Sequence, residues 1–165
     1  MFGIFLELVS IVFNPIGFVL DVIRDSVVPR NGTVVYCKIG PFEHTGIYIS
    51  AYRQILHRNR HGHIELVPPC EFTVNYGDTI YVSCNDNVSL ESSRTADRAL
   101  TYYKSESWEA YDIVGNNCHE FSVGCFTGNF HSNAFTFFML EVELRLATNH
   151  KNWRMWKTEN SNYLY

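Results

Sequence analysis

Five short runs rich in β-branched and aromatic residues crowd the first half of the chain after residue 32. They are TVVYCKI (33–39), TGIYIS (45–50), QILH (54–57), HIELV (63–67) and TIYVSC (79–84). Each alternates or packs as a strand does, and turn residues separate them, including Gly40-Pro41 and Pro68-Pro69. Runs this short and this close together predict an antiparallel meander, because sequential strands usually pair with their neighbours. The period then changes. Ala96, Ala99, Leu100 and Tyr103 recur at helical spacing, with Ser89 or Ser92 as the cap. Residues 111–114 predict a brief extended piece. A helix is expected from near Asn117 to about Phe126, a break at 127–129, and a strongly apolar helix over 133–148. Strands followed by helices predict an α+β fold. With 165 residues, 46% apolar and 18% charged, the chain is long and apolar enough to build one core.

The N-terminal segment, residues 1–28, is apolar but interrupted. Glu7 and Asp21 carry charge and Pro15 breaks the run, so no uncharged stretch is long enough to span a bilayer. It lacks the basic start and small-residue cleavage site of a signal peptide. Glu7, Ser10, Asn14, Asp21 and Arg24, with Gly17 between, form one narrow polar stripe on a helix. Such a helix either packs on its own domain or lies in a membrane interface or a partner's groove through residues 2–25. The remaining organisation is a central domain over 29–150 and a polar tail over 151–165 that packs in part.

Net charge is −4, which argues against a nucleic-acid partner. Cys37, Cys70, Cys84, Cys118 and Cys125 are odd in number and none has CxxC spacing. That pattern predicts free, mostly buried thiols in a reducing, cytoplasmic setting, with no metal and no cofactor.

One cysteine stands apart. In GNNCHEFSVGC (115–125) two asparagines, good helix starters, immediately precede Cys118. At a helix start the sulfur lies in the positive end of the dipole, so its pKa is expected to be depressed. A thiolate nucleophile also needs an imidazole base and a group that orients it. His119 is expected to point about 100° away around the helix and to be a poor base. His131 and His150 fall at helix ends or on the surface. His44, at the mouth of the second run, and His57, at the end of the third, come together if their strands are adjacent. His61 and His63 compete with His57 for the second role. HRNRHGH (57–63) has no third acidic ligand in register and no nearby cysteine, so a metal loop is not expected. Tyr48 and Tyr111 are candidate oxyanion donors. Cys125, two helical turns after Cys118, is either core packing or a redox partner.

Taken together, FEHTGIYIS, QILHRNRHGHIELVPPCEF and NNCHEFSVGCFTGNF resemble the lecithin:retinol acyltransferase-like (LRAT-like) family of the permuted papain-like superfamily, which also holds the NlpC-type cell-wall amidases. The resemblance covers roughly residues 32–140 and looks most like the short bacterial members. It implies an NlpC-type fold, an antiparallel sheet packed against helices. It also implies a Cys118 nucleophile, His44 as base and His57 as the residue that orients it. The implied activity is thiol-dependent acyl transfer or acyl hydrolysis through a thioester, with a phospholipid or other acyl ester as donor and peripheral membrane association. A papain-like amidase or peptidase, and a non-catalytic interaction module that kept the fold, are the alternatives. Arg58 and Arg60 are expected to make the loop after His57 polar, which points away from a retinoid or neutral lipid.

Overall fold

The computed structural model describes residues 26–73, 79–105 and 117–156. The N-terminal stripe and the expected piece at 111–114 lie outside them. Among these residues seven strands form one sheet: β1 (Val34–Ile39), β2 (Phe42–Ile49), β3 (Gln54–Arg58), β4 (Ile64–Val67), β5 (Ile80–Asn85), β6 (Val88–Ser89) and β7 (Asn152–Met155). The order is β4-β3-β2-β1-β5-β6, with β7 paired to β5, and every ladder is antiparallel. The expected meander holds for β1 to β4. It fails at β5, which returns past β4 and pairs with β1 on the opposite side of the sheet. Asn152–Met155 completes the sheet, so residues expected to form a separate tail belong to the same ladder.

Among the described residues four helices accompany the sheet: α1 (Pro69–Phe72), α2 (Ser93–Lys104), α3 (Cys118–Thr127) and α4 (Phe137–Ala147). Three have side-chain caps that satisfy otherwise orphaned backbone N–H groups. Ser92 accepts from Thr95 N, Asn117 from His119 N and Glu120 N, and Thr136 from Met139 N. Helix α3 stops at Gly128, whose φ of 88° is the left-handed conformation glycine adopts readily. Among the described residues no helix is long and apolar enough to cross a membrane.

Strand alternation divides the core in two. Val34 and Tyr36 of β1, Ile47 and Ile49 of β2, and Leu56 of β3 pack with Phe121, Val123 and Cys125 of α3 and with Leu140 and Leu144 of α4. Tyr36 sits among Tyr81, Phe137 and Trp153, with ring centroids 4.7–4.8 Å apart. On the other face Val35, Cys37, Tyr48, Ile55 and Val82 pack with Phe72 of α1 and with Val27 and Trp156. Cys37, Cys84, Cys118 and Cys125 are buried, Cys70 is exposed, and all five are free. Cys125 is fully buried core, in keeping with a packing role.

The turn before β1 meets the start of α2 at Gly32. Its φ is +77°, and a Cβ there would lie 1.9 Å from Ser92 O, the backbone of the α2 cap. Gly32→Ala is therefore expected to destabilise the fold by at least about 1–3 kcal/mol from backbone strain alone. The midpoint of urea unfolding, with the slope unchanged, measures the loss.

Candidate functional site

Asn117 builds the first half of the site. Its side-chain Oδ1 accepts from His119 N at 2.9 Å and Glu120 N at 3.0 Å, while its Nδ2 donates to Phe135 O at 2.8 Å. The cap thus fixes the start of α3, as the paired asparagines predict. Cys118 is the first helical residue and only 3% exposed. Its thiol is not depressed, contrary to the expectation from the helix dipole. Burial pushes it up, and hydrogen bonds involving Thr45 and the first-turn backbone offset only part of that rise. Burial wins because removing a thiolate from water costs more than half a dipole charge returns.

The second half lies on β2 and β3. His44 Nε2 and His57 Nδ1 are 2.9 Å apart, with the rings perpendicular. Their strands are adjacent, as expected, and the contact is diagonal: Ile47 pairs with Leu56, so His44 reaches back to His57. His44 is the third residue of β2 and not at its mouth, because the strand begins at Phe42. Phe72 packs against both imidazoles, with centroids 5.0 and 5.4 Å away. Glu65 Oε2 is 3.9 Å from His57 Nε2. At that distance Glu65 acts through its charge and not through a hydrogen bond, and the charge favours a proton on His57 Nε2, a buried nitrogen with no hydrogen-bond partner among the described residues. His57 Nδ1 then accepts from His44 Nε2–H, which leaves His44 Nδ1 as the basic nitrogen. Burial lowers the His44 pKa to about 3, with His57 and His119 adding to the shift. Burial also lowers that of His57, against the opposing pull of Glu65. Both rings are neutral at pH 7.

Alternation decides how the halves meet. Thr45 shares the helix face with Ile47 and Ile49, whereas His44 shares the other face with Gly46, Tyr48 and Phe72. The residue that touches the start of α3 is therefore Thr45, whose Oγ1 donates to Cys118 O at 2.9 Å. Among the described residues no hydrogen bond joins Cys118 Sγ to His44. The sulfur is instead in hydrogen-bond contact with His119, whose Nδ1 lies 4.0 Å away. The expectation that His119 points away is corrected: in the first turn its ring folds back toward Thr45, 3.3 Å from Oγ1, and is buried. The alternation of Thr45, Ile47 and Ile49 was the sequence signal for this contact.

His61 and His63 are exposed in the turn after β3 and His131 is exposed before α4. His150 is buried against Trp153 and not on the surface. Arg58 is not a loop residue. It ends β3, is 2% exposed, and donates to Tyr102 OH of α2 at 3.0 Å. Arg60 remains in the exposed turn. Tyr48 stands edge-on to Trp156 on the His44 face, and Tyr111 lies outside the described residues. A groove of about 330 Å³ along α2, lined by Arg94, Arg98, Tyr102 and Phe130 among others, includes none of Cys118, His44 or His57. Comparison with family models, with curated proteins and with solved structures gives no match for this chain.

Proposed function

We propose that the chain is a thiol-dependent acyltransferase or acyl hydrolase with an NlpC-type, permuted papain-like arrangement, in which Cys118 carries the acyl group as a thioester. The observation that carries this reading is the linkage through β2. Consecutive residues hold the two halves, His44 the buried imidazole pair and Thr45 the start of the helix bearing the thiol. Buried paired imidazoles cost stability and are kept where a base must be oriented. In the reaction His44 Nδ1 takes the proton from Sγ as the sulfur attacks the acyl carbonyl. The C–S bond forms and the carbonyl electrons move to oxygen. Collapse expels the alcohol, which receives the proton back from His44. Water or an acceptor hydroxyl or amine then reverses the sequence and releases the acyl group. His57 holds the tautomer of His44.

With His119 N and Glu120 N taken by Asn117, the Cys118 N–H is the first-turn donor suited to the oxyanion. A raised thiol pKa and a depressed imidazole pKa make the resting pair neutral. Proton transfer therefore accompanies attack and does not precede it. Catalytic hydrogen bonds commonly tighten only in the complex with substrate. Peripheral membrane docking through residues 2–25 would deliver a phospholipid donor.

A second reading, the non-catalytic module, draws on a specific observation: Cys118 is 3% exposed and makes no hydrogen bond to His44. One measurement separates the two. Incubation of the full chain with phospholipid vesicles, followed by intact-mass and peptide analysis, is expected to give an acyl adduct on Cys118. No adduct from phospholipid, together with labelling by a peptide electrophile, would move the assignment to the amidase class. No adduct from either would leave the interaction module.

A further inference from the structure

Thr45 is wholly buried, and its hydroxyl faces the Cys118 thiol and three further polar groups. Cys118 O lies at 2.9 Å, Ser122 Oγ at 3.1 Å and His119 Nδ1 at 3.3 Å from Thr45 Oγ1. A hydroxyl has one proton to donate and two lone pairs to fill. Cys118 O can only accept and makes the shortest contact, so the Thr45 proton goes there. Ser122 donates to Thr45 Oγ1 and fills one lone pair. The other is filled by an N–H, which places the proton of the neutral His119 on Nδ1. The same nitrogen is 4.0 Å from Cys118 Sγ.

We propose that the Ser122–Thr45 pair locks His119 as its Nδ1–H tautomer, so that His119 donates to the Cys118 sulfur when the sulfur becomes charged, with Thr45 as the positioning residue. The assignment rests on the reading of Cys118 as a nucleophile, and it divides the work between two imidazoles. His44 takes the proton from Sγ. His119 keeps its own proton and steadies the sulfur that has lost one. A base role for His119 would need a bare Nδ1, which the network denies. The groups facing the ring are Cys118 on its own helix, Thr45 on β2, and Phe137 of α4, whose ring centroid is 6.0 Å away, while His44, on the opposite face of β2, is felt only through its charge. Burial holds the His119 pKa down at about 4, so the neutral tautomer persists through the working pH range. Ser122 is also fully buried, so its hydroxyl has no water to choose instead.

The test uses the full chain and two readouts. Imidazole ¹⁵N shifts of His119 are expected to show a protonated Nδ1 and a bare Nε2. Iodoacetamide alkylation of Cys118, followed by peptide mass against pH, is expected to be about tenfold slower at pH 8 in Thr45→Val, the loss of one charge-assisted hydrogen bond. Thr45→Ser, which keeps the hydroxyl, is expected to restore the wild-type profile, and His119→Phe, which leaves the direct Thr45 contact to the thiol in place, to slow alkylation as well. An Nε2–H tautomer in the wild type, or a Thr45→Val profile identical to wild type, would overturn the proposal. If a variant fails to fold, the wild-type tautomer decides alone. Because both readouts follow the thiol and not acyl turnover, failure to form an acyl adduct is a separate result that bears only on the reaction assigned to Cys118.

Discussion

Replacing His44 with alanine is expected to slow turnover of a soluble thioester by about 10²–10⁴-fold, the range of a general base. The His57→Gln variant is expected to lose less. Glutamine can still place a hydrogen-bonding group near His44 Nε2, but it cannot reproduce the ring that spans from Glu65 to His44. The two effects are expected to be strongly non-additive, because the second imidazole acts only through the first. His61→Ala and His63→Ala are the controls, since both side chains are exposed in the turn beyond the pair. Steady-state rates, with folding checked by circular dichroism, measure the series. A His63→Ala variant as damaged as His44→Ala, with His57→Ala silent, would place the orienting group on the wrong side of the β3–β4 turn.

Acid is expected to unfold this protein well before its carboxylates would. His44 and His150 are held at about 3 and His119 at about 4, in each case mainly by burial. Their ordinary value is 6.5, so between these limits the unfolded chain binds protons that the folded chain refuses. Stability from these groups is therefore complete above about pH 6.5 and is lost as the pH falls toward the folded values. All three folded values lie well below 5, so at pH 5 each group costs about 2 kcal/mol. Three such groups remove about 6 kcal/mol, comparable with the whole stability of a typical domain, about 5–15 kcal/mol. Tryptophan fluorescence during acid titration is expected to show a cooperative transition near pH 5. His150→Phe should move that transition to lower pH. The ring is buried against Trp153, and neither nitrogen has a hydrogen-bond partner among the described residues, so phenylalanine removes the proton site without removing a bond. A transition that stays below pH 3.5, or one unmoved by His150→Phe, would contradict this account.

What the chain encodes locally was legible. The strands near 33–39, 54–57, 63–67 and 79–84, a serine cap at Ser89 or Ser92, the helix start near Asn117 and the break at 127–129 all follow from period, capping chemistry and backbone freedom. Each acts over only a few residues, so each survives without knowledge of the partner. The pairing of His44 with His57 belongs to the same class, because adjacent strands joined by a short turn have little choice of register. Tertiary structure decided the rest. It sent β5 back to β1 and set Asn152–Met155 against β5, pairings between distant segments that no short-range pattern specifies. It buried Arg58 against Tyr102, since only the arrival of α2 turns the end of β3 into an interior position. It also chose which face of β2 receives α3. Alternation in the sequence puts Thr45 and His44 on opposite faces, but only the packed helix determines that Thr45 meets Cys118 and that burial, not the helix dipole, sets the thiol's ground state.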